Sequence, residues 1–293
     1  MTAPTTLEAP RLPLELERDI FEIAALSFRS SIPAYLQVAH RIHEWIEPIL
    51  YNTLMVQRLK DPKLTESTPT PADCRAAEFL ASNVHRLNIY GPFPHEQLHT
   101  LLDACKSTRD LALWVPFPRP NLLPFLQAMP LERLSVDVAY LFGGPLRMNF
   151  AHPAFAALTH LDVQSAVFDD WRLYTELARA PALTHLSFRD KFHPRVLRGA
   201  LAHCAKLRAL GIIWSPSRSA VDVKEGEVVD ARLFMVVCED VLEEWEVGAR
   251  GGRDIWARAE PFIAKKEAGE IKGRLSWLVP GRCLRNAQCR GFG

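Results

Sequence analysis

Apolar residues change their spacing along this chain, and the change separates two kinds of structure. From Leu12 to Tyr51 they recur three and four apart, which is the helical period. Pro13 suits a first helical position, and Leu16, Ile20, Phe21, Ile23 and Ala24 fall on one side of the helix it opens. Ser30 and Ser31 break this run. Pro33 starts the next, with Leu36, Val38, Ala39, Ile42, Trp45 and Ile46 as its apolar positions. Pro48 interrupts that helix, because it has no amide hydrogen and clashes with the preceding turn. Ile49, Leu50 and Tyr51 form a short third piece, and Leu54 to Val56 reads as the start of a strand. Residues 60–75 are rich in Pro, Thr and Asp and read as a linker or long loop.

Past residue 80 the chain repeats itself. Six segments share the form apolar-x-x-Leu-x-apolar, beginning at Val84, Thr108 (polar at this position), Leu131, Leu158, Leu183 and Leu207. They are 24, 23, 27, 25 and 24 residues apart, inside the range of about 20–29 expected for leucine-rich repeats. Leu-Thr-His-Leu occurs twice, at 158–161 and 183–186, which makes accidental similarity a poor explanation. Helical spacing fills the intervals, at Gln97–Lys106, Leu122–Met129, Trp171–Arg179 and Arg195–Lys206. Each unit is then strand, turn, helix and return, and stacking buries faces that one unit cannot bury alone. A seventh strand is expected over Arg232–Cys238, after a polar loop from Ser215 to Asp230. The tail carries Trp245, Trp256, Phe262 and Ile263 as apolar anchors, and Gly248, Gly251 and Gly252 split it in two. It is expected to cap the open end of the stack.

The predicted fold class is α/β. A flexible lead (1–11) precedes a helical motif (12–59), a linker with a first helix (60–83), an irregular repeat solenoid (84–240), and a helical cap with a basic tail (241–293). The repeats are irregular because no Asn or Cys holds a fixed ladder position.

Composition narrows function by exclusion. Hydrophobic residues are 48% and charged residues 24% of the 293, which excludes disorder over most of the chain. Thirty-five basic residues against 34 acidic ones give a net charge of +1, against a protein built for non-specific nucleic-acid binding. There is no apolar run of about eighteen residues, and Met1–Pro10 does not read as a signal peptide. Membrane partners are therefore not expected, and an intracellular setting, cytoplasm or nucleus, is. Six cysteines, Cys74, Cys105, Cys204, Cys238, Cys283 and Cys289, form no CxxC pair and read as reduced thiols.

Catalytic and metal signals are weak. GxSxG, HExxH, GxGxxG and the Walker loop are all missing. His40 and His43 stand three apart, a spacing metals use, but lack an evident third ligand. Asp169 and Asp170 read as the start of the following helix. No cofactor, metal or catalytic residue is expected. Seven basic residues from Lys265 to Arg290 face only Glu267 and Glu270, and read as a solvated tail.

Residues 12–56 resemble the F-box motif. The match is Leu12-Pro13-x-Glu15-Leu16 with Ile20-Phe21, then Leu36-x-Val38-Ala39-His40-Arg41 with Trp45, then Pro48-x-Leu50-Tyr51. Followed by the repeats and the Trp-rich tail, this order looks most like the fungal set of F-box-like proteins, over roughly residues 12–265. The resemblance implies a non-catalytic subunit that binds the Skp adaptor of a cullin–RING ubiquitin ligase and presents a protein target. Leu12, Pro13, Leu16, Ile20, Phe21 and Trp45 are then the expected adaptor contacts, and their alternative role is to cap the repeat stack. The target would meet the strand face, whose outward residues alternate with the buried ones. Arg86, Tyr90, Trp114, Arg133, His160, His185 and Arg189 are the expected target contacts, aromatics and Arg being favoured anchors. The alternative is a face that is solvated or covered by the tail. A stand-alone interaction scaffold without a ligase role is the second functional reading.

Overall fold

The computed structural model describes residues 12–58, 76–116, 120–164, 170–189, 193–215, 228–271, 277 and 278. Two compact units divide the chain at Thr53/Leu54. That boundary lies short of residue 59, because residues 53–57 form a strand rather than a continuation of the helical motif.

The first unit is helical: α1 (Leu14–Ser27), a 3-10 turn at Arg29–Ser31, α2 (Ile32–Tyr35) and α3 (His40–Tyr51). Pro13 stands one residue before α1 rather than inside it. Ala25, Ile32, Ile42 and Ile46 are fully buried together, with Phe21, Tyr35, Leu36, Ala39, Trp45 and Ile49 packed around them. Phe21 meets Tyr35 edge-on at 5.8 Å, and Arg41 donates two hydrogen bonds to Glu17, at 3.0 and 2.7 Å. Contrary to expectation, Pro48 does not end its helix, which runs to Tyr51. Ile42 and Ile46 before the proline and Ile49 after it share one packed face. That packing offsets the missing hydrogen bond, whose loss costs about 3 kcal/mol in a helix interior.

The second unit is α/β. Nine strands form one sheet in strict chain order: β1 (Thr53–Gln57), β2 (Arg86–Tyr90), β3 (Asp110–Trp114), β4 (Arg133–Val136), β5 (His160–Val163), β6 (His185–Arg189), β7 (Ala209–Trp214), β8 (Leu233–Val237) and β9 (Trp277–Leu278). From β2 to β9 every neighbouring pair is parallel. Parallel neighbours need a return connection, and the described returns contain α4 (Ala77–Asn83), which leads into β2, then α5 (His95–Ala104), α6 (Leu123–Gln127), α7 (Val138–Phe142) and α8 (Pro194–His203). The return between β5 and β6 is not the α-helix its spacing suggested, but two 3-10 turns, Trp171–Leu173 and Thr175–Arg179. Asp170 opens the first by accepting from the Arg172 amide.

Register explains the repeat. Leu87, Leu111, Leu134, Leu161, Leu186, Leu210 and Leu233 lie opposite one another from strand to strand. Two residues on, Ile89, Leu113, Val136, Val163, Phe188, Ile212 and Met235 form a second row in the same register. All fourteen are buried, and each such side chain contributes about 1.5–3 kcal/mol on leaving water. The longest interval, between β4 and β5, holds extra rings: Phe142, Phe150 and Phe155 pack 5.1–5.8 Å apart. At the other side of the sheet, Gly91 turns the chain at φ 101°, and a Cβ there would lie 2.2 Å from the Arg58 carbonyl oxygen. Only glycine fits that approach.

Cys105, Cys204 and Cys238 are free and buried. Burial pushes their thiols up to about 12, 11 and 12, which makes them unreactive. Cys74, Cys283 and Cys289 lie outside the described residues, as do the lead, the expected linker and most of the basic tail. Among the described residues no helix is long and apolar enough to cross a membrane.

Candidate functional site

Alternation along the strands sends Arg86, Asp110, Arg133, His160, His185 and Ala209 to the second face of the sheet, as one row in register. The next row on that face is Asn88, Ala112, Ser135, Asp162, Ser187 and Gly211. These are the residues whose spacing predicted an outward surface. Most of them are nevertheless buried, Asn88, Ala112 and Ser187 completely. The cause is the tail. Two helices, α9 (Val241–Ala249) and α10 (Ile255–Glu267), lie over this face instead of capping the end of the stack.

Over β7 and β8 the cover is apolar. Ile213, Phe234, Val236 and Cys238 pack with Ile255, Ala259 and Ile263 of α10. Lys266 ends the contact by donating to the carbonyls of Asp230 and Leu233, at 3.2 and 2.6 Å. Over β3 to β6 the cover is polar. Arg133 is ion-paired with Asp254, the cap of α10, and stands 3.5 Å from Asp110. The Trp245 indole N–H donates to Asp110 at 3.3 Å, and Arg258 donates to Glu244 at 2.6 Å. Under them, Asp162 accepts from the hydroxyls of Ser135 (2.6 Å) and Ser187 (2.9 Å) and is ion-paired with Arg189. Trp114 donates to Ser135 at 2.9 Å and lies 5.1 Å below the Arg189 guanidinium. The rings of His160 and His185 stack at 4.1 Å, and Trp256 meets both edge-on.

A small cleft of about 60 Å³, partly open to solvent, remains between sheet and cover. Its walls include Asp110, Arg133, His160, Asp162 and Arg189 from the strands, and Glu244, Trp245, Asp254 and Trp256 from the tail. Burial raises the carboxyl groups of Asp110 and Glu244 above their ordinary range. Burial, then the neighbouring His185 and Arg133, depress His160 to about 3. His185 is lowered by burial as well, although Glu260 faces it at 3.4 Å. Both imidazoles are therefore neutral at neutral pH. The guanidinium and carboxylate groups of the cleft pair with one another. Among the described residues no group of three His, Cys, Asp or Glu side chains is placed to hold a metal. His40 and His43 face Glu44 and Glu47 instead.

Of the expected target contacts, Trp114, Arg133, His160, His185 and Arg189 come together here, beneath the tail and not on an open surface. Tyr90 stays exposed, edge-on to Trp114 at 6.3 Å, and Arg86 is half-buried on the same row. Sequence reasoning missed Asp110, Asp162, Glu244 and Asp254 as partners of these residues. The available signal was acidic residues one position before the tail's apolar runs, at Asp240 and Asp254, facing an Arg-rich strand column. Among the expected adaptor contacts, Leu12, Pro13, Leu16 and Ile20 are exposed, whereas Phe21 and Trp45 pack into the unit's own core. Phe21 packs inward with Ala25 while Leu16 and Ile20 stay exposed, so the one-sided apolar face expected for this helix is two faces. Neither a scan against protein-family models nor a search of curated proteins finds a match for this chain.

Proposed function

We propose that this chain is a non-catalytic substrate-recognition subunit of a cullin–RING ubiquitin ligase of the SCF type. Residues 12–56 bind the Skp adaptor, and the strand face of a leucine-rich-repeat solenoid binds a protein target. One observation carries the reading. The first unit has its own buried core, yet α1 and the residues before it leave a second apolar stripe in water: Leu12 is 57% exposed, Leu16 51% and Ile20 51%. Contiguous exposed apolar surface of this kind marks a protein contact. The resemblance of residues 12–56 to the F-box motif and the 23–27-residue period of the strands support the same assignment.

The test is binding of the full-length chain to purified Skp adaptor by calorimetry. Wild type is expected to bind, and Leu16→Asp with Ile20→Asp to lose at least a hundredfold in affinity with an unchanged thermal melt. A wild-type chain that shows no binding overturns the reading and leaves the stand-alone scaffold.

A further inference from the structure

We propose that a pocket at the C-terminal end of α8 receives a bulky apolar side chain from an acidic segment of another protein, whose carboxylates meet Arg195, Arg198 and Lys206. The pocket lies on the helical side of the sheet, away from the face that the tail covers, and does not depend on the ligase reading.

Charge first marks the region. Between Asp190 and Asp222 stand six basic residues, Lys191, Arg195, Arg198, Lys206, Arg208 and Arg218, and no acidic one. This is the longest acid-free stretch of a chain whose basic and acidic totals are nearly equal. On α8, Arg195, Arg198 and Ala202 share one side by their spacing and are exposed, while Val196, Leu197, Gly199 and Ala200 are buried. Among the described residues, Arg195 and Lys206 pair with no carboxylate.

The pocket gives this charged side an anchor point. Trp171 of the first 3-10 turn lies against α8 at Gly199, where a Cβ would come within 2.2 Å of the indole, and stacks on His203 at 5.7 Å. Glycine at 199 therefore lets the turn close on the helix. Between the second turn and the end of α8 the closure is incomplete and leaves about 200 Å³, partly open to solvent. Leu177, Ala180, Pro181, Leu183 and Cys204 are among its walls. Burial pushes the Cys204 thiol up to about 11, so it acts as apolar wall and not as a nucleophile. Lys206 also lines the pocket, and its ammonium donates to the Pro181 carbonyl at 2.7 Å while the side chain stays exposed.

The two features together select the partner. Apolar walls suit a leucine, methionine or phenylalanine side chain, whose burial is worth roughly tenfold to a hundredfold in affinity. A nucleobase would bury its polar edges unpaired there, which favours a polypeptide over a nucleic acid. From Arg198 to His203 is about 8 Å along the helix axis, a length that about three residues of extended chain cover. Carboxylates within that distance of the anchor come into range of the α8 arginines, and Lys206 stands at the pocket itself.

The probe is a short fluorescent peptide of glutamates around a central phenylalanine, titrated into the full-length chain at low salt and read by anisotropy. Wild type is expected to bind it, and to bind the same peptide with alanine at the centre at least tenfold more weakly. Arg195→Glu/Arg198→Glu and Ala178→Trp, the latter at the pocket wall, should each lose at least tenfold with unchanged thermal melts. Arg253→Glu/Lys265→Glu, an equal charge reversal on exposed tail positions, should leave binding within about twofold of wild type. Absence of binding to wild type overturns the proposal. So does equal affinity for the phenylalanine and alanine peptides, an equal loss from the tail reversal, or tighter binding of a single-stranded RNA than of the peptide. The alanine peptide leaves the protein unaltered, so it decides alone where a variant does not fold.

Discussion

Thr159 and Thr184 give the repeated Leu-Thr-His-Leu its chemistry. Each hydroxyl donates to a carbonyl of the preceding turn, Glu132 at 2.9 Å and Thr159 at 3.2 Å, and lies 2.8 Å from Nδ1 of the following histidine. The two rings are thus oriented and stacked as neutral imidazoles. A group that stays neutral when folded but titrates near 6.5 when unfolded takes up protons preferentially in the unfolded state. Stability is then fully present above about pH 6.5 and falls as the pH drops toward 3, where His160 itself titrates. The groups facing this pair are Arg133, Arg208, Glu260 and the Trp256 ring, and only Glu260 favours protonation. At pH 5 the loss through His160 should be about 2 kcal/mol. The raised carboxyl groups of Asp110 and Glu244 act with the opposite sign. Urea melts of wild type and His160→Gln between pH 7.5 and 5 would show it, and parallel curves would sink the idea. The neighbouring leucines carry no such dependence: Leu161→Ala or Leu186→Ala should cost about 2–5 kcal/mol at either pH.

α1 shows what helical spacing reveals and what it hides. Its apolar residues were legible, but they belong to two stripes about half a turn apart. One holds Phe21 and Ala25 against α2 and α3, and the other leaves Leu16, Ile20 and Ile23 in water. Spacing alone assigns apolar residues to a helix face without saying which face has a partner within the chain. The consequence is testable within one helix. Ala25→Asp places an unpaired charge in a closed core and should cost more than about 3 kcal/mol. Ile20→Asp should move the melt by less than about 1 kcal/mol. If the two substitutions are equally harmful in thermal melts, the assignment of faces is wrong. The strands were read more completely than the helices, because the leucine period fixes both register and buried side. The return between β5 and β6 was misread as one helix, since its Trp171, Tyr174 and Leu177 are spaced three apart, which serves 3-10 turns equally well.

Across the second unit, strand order alone would make stability a chain of nearest-neighbour contacts. The tail changes that. Arg133 and Asp254 are 121 residues apart, and Asp110 and Trp245 are 135 apart. Through these pairs α9 and α10 join the early strands to β7 and β8, which no sheet contact does. This bridge was not legible, because an acidic N-cap reads locally as a helix start, and only the folded chain brings it over an arginine 121 residues earlier. The near-equality of 35 basic and 34 acidic residues takes on a spatial meaning here: charges of opposite sign meet across the cleft. Arg133 is the common cation, one third exposed, for two carboxylates that are 12% and 11% exposed. Removing it takes from both the cation they share, although Arg86 still acts on Asp110. Arg133→Ala should therefore cost about 2–4 kcal/mol, less than the full penalty of a wholly buried pair because its own charge is partly solvated. The broken bridge should also uncouple the ends of the sheet. Hydrogen exchange in mild urea should show β3 and β4 opening before β7 and β8 in Arg133→Ala, and all four opening together in wild type. Unchanged cooperativity in the variant would mean that the apolar seat of α10 joins the sheet without help from the ion pair.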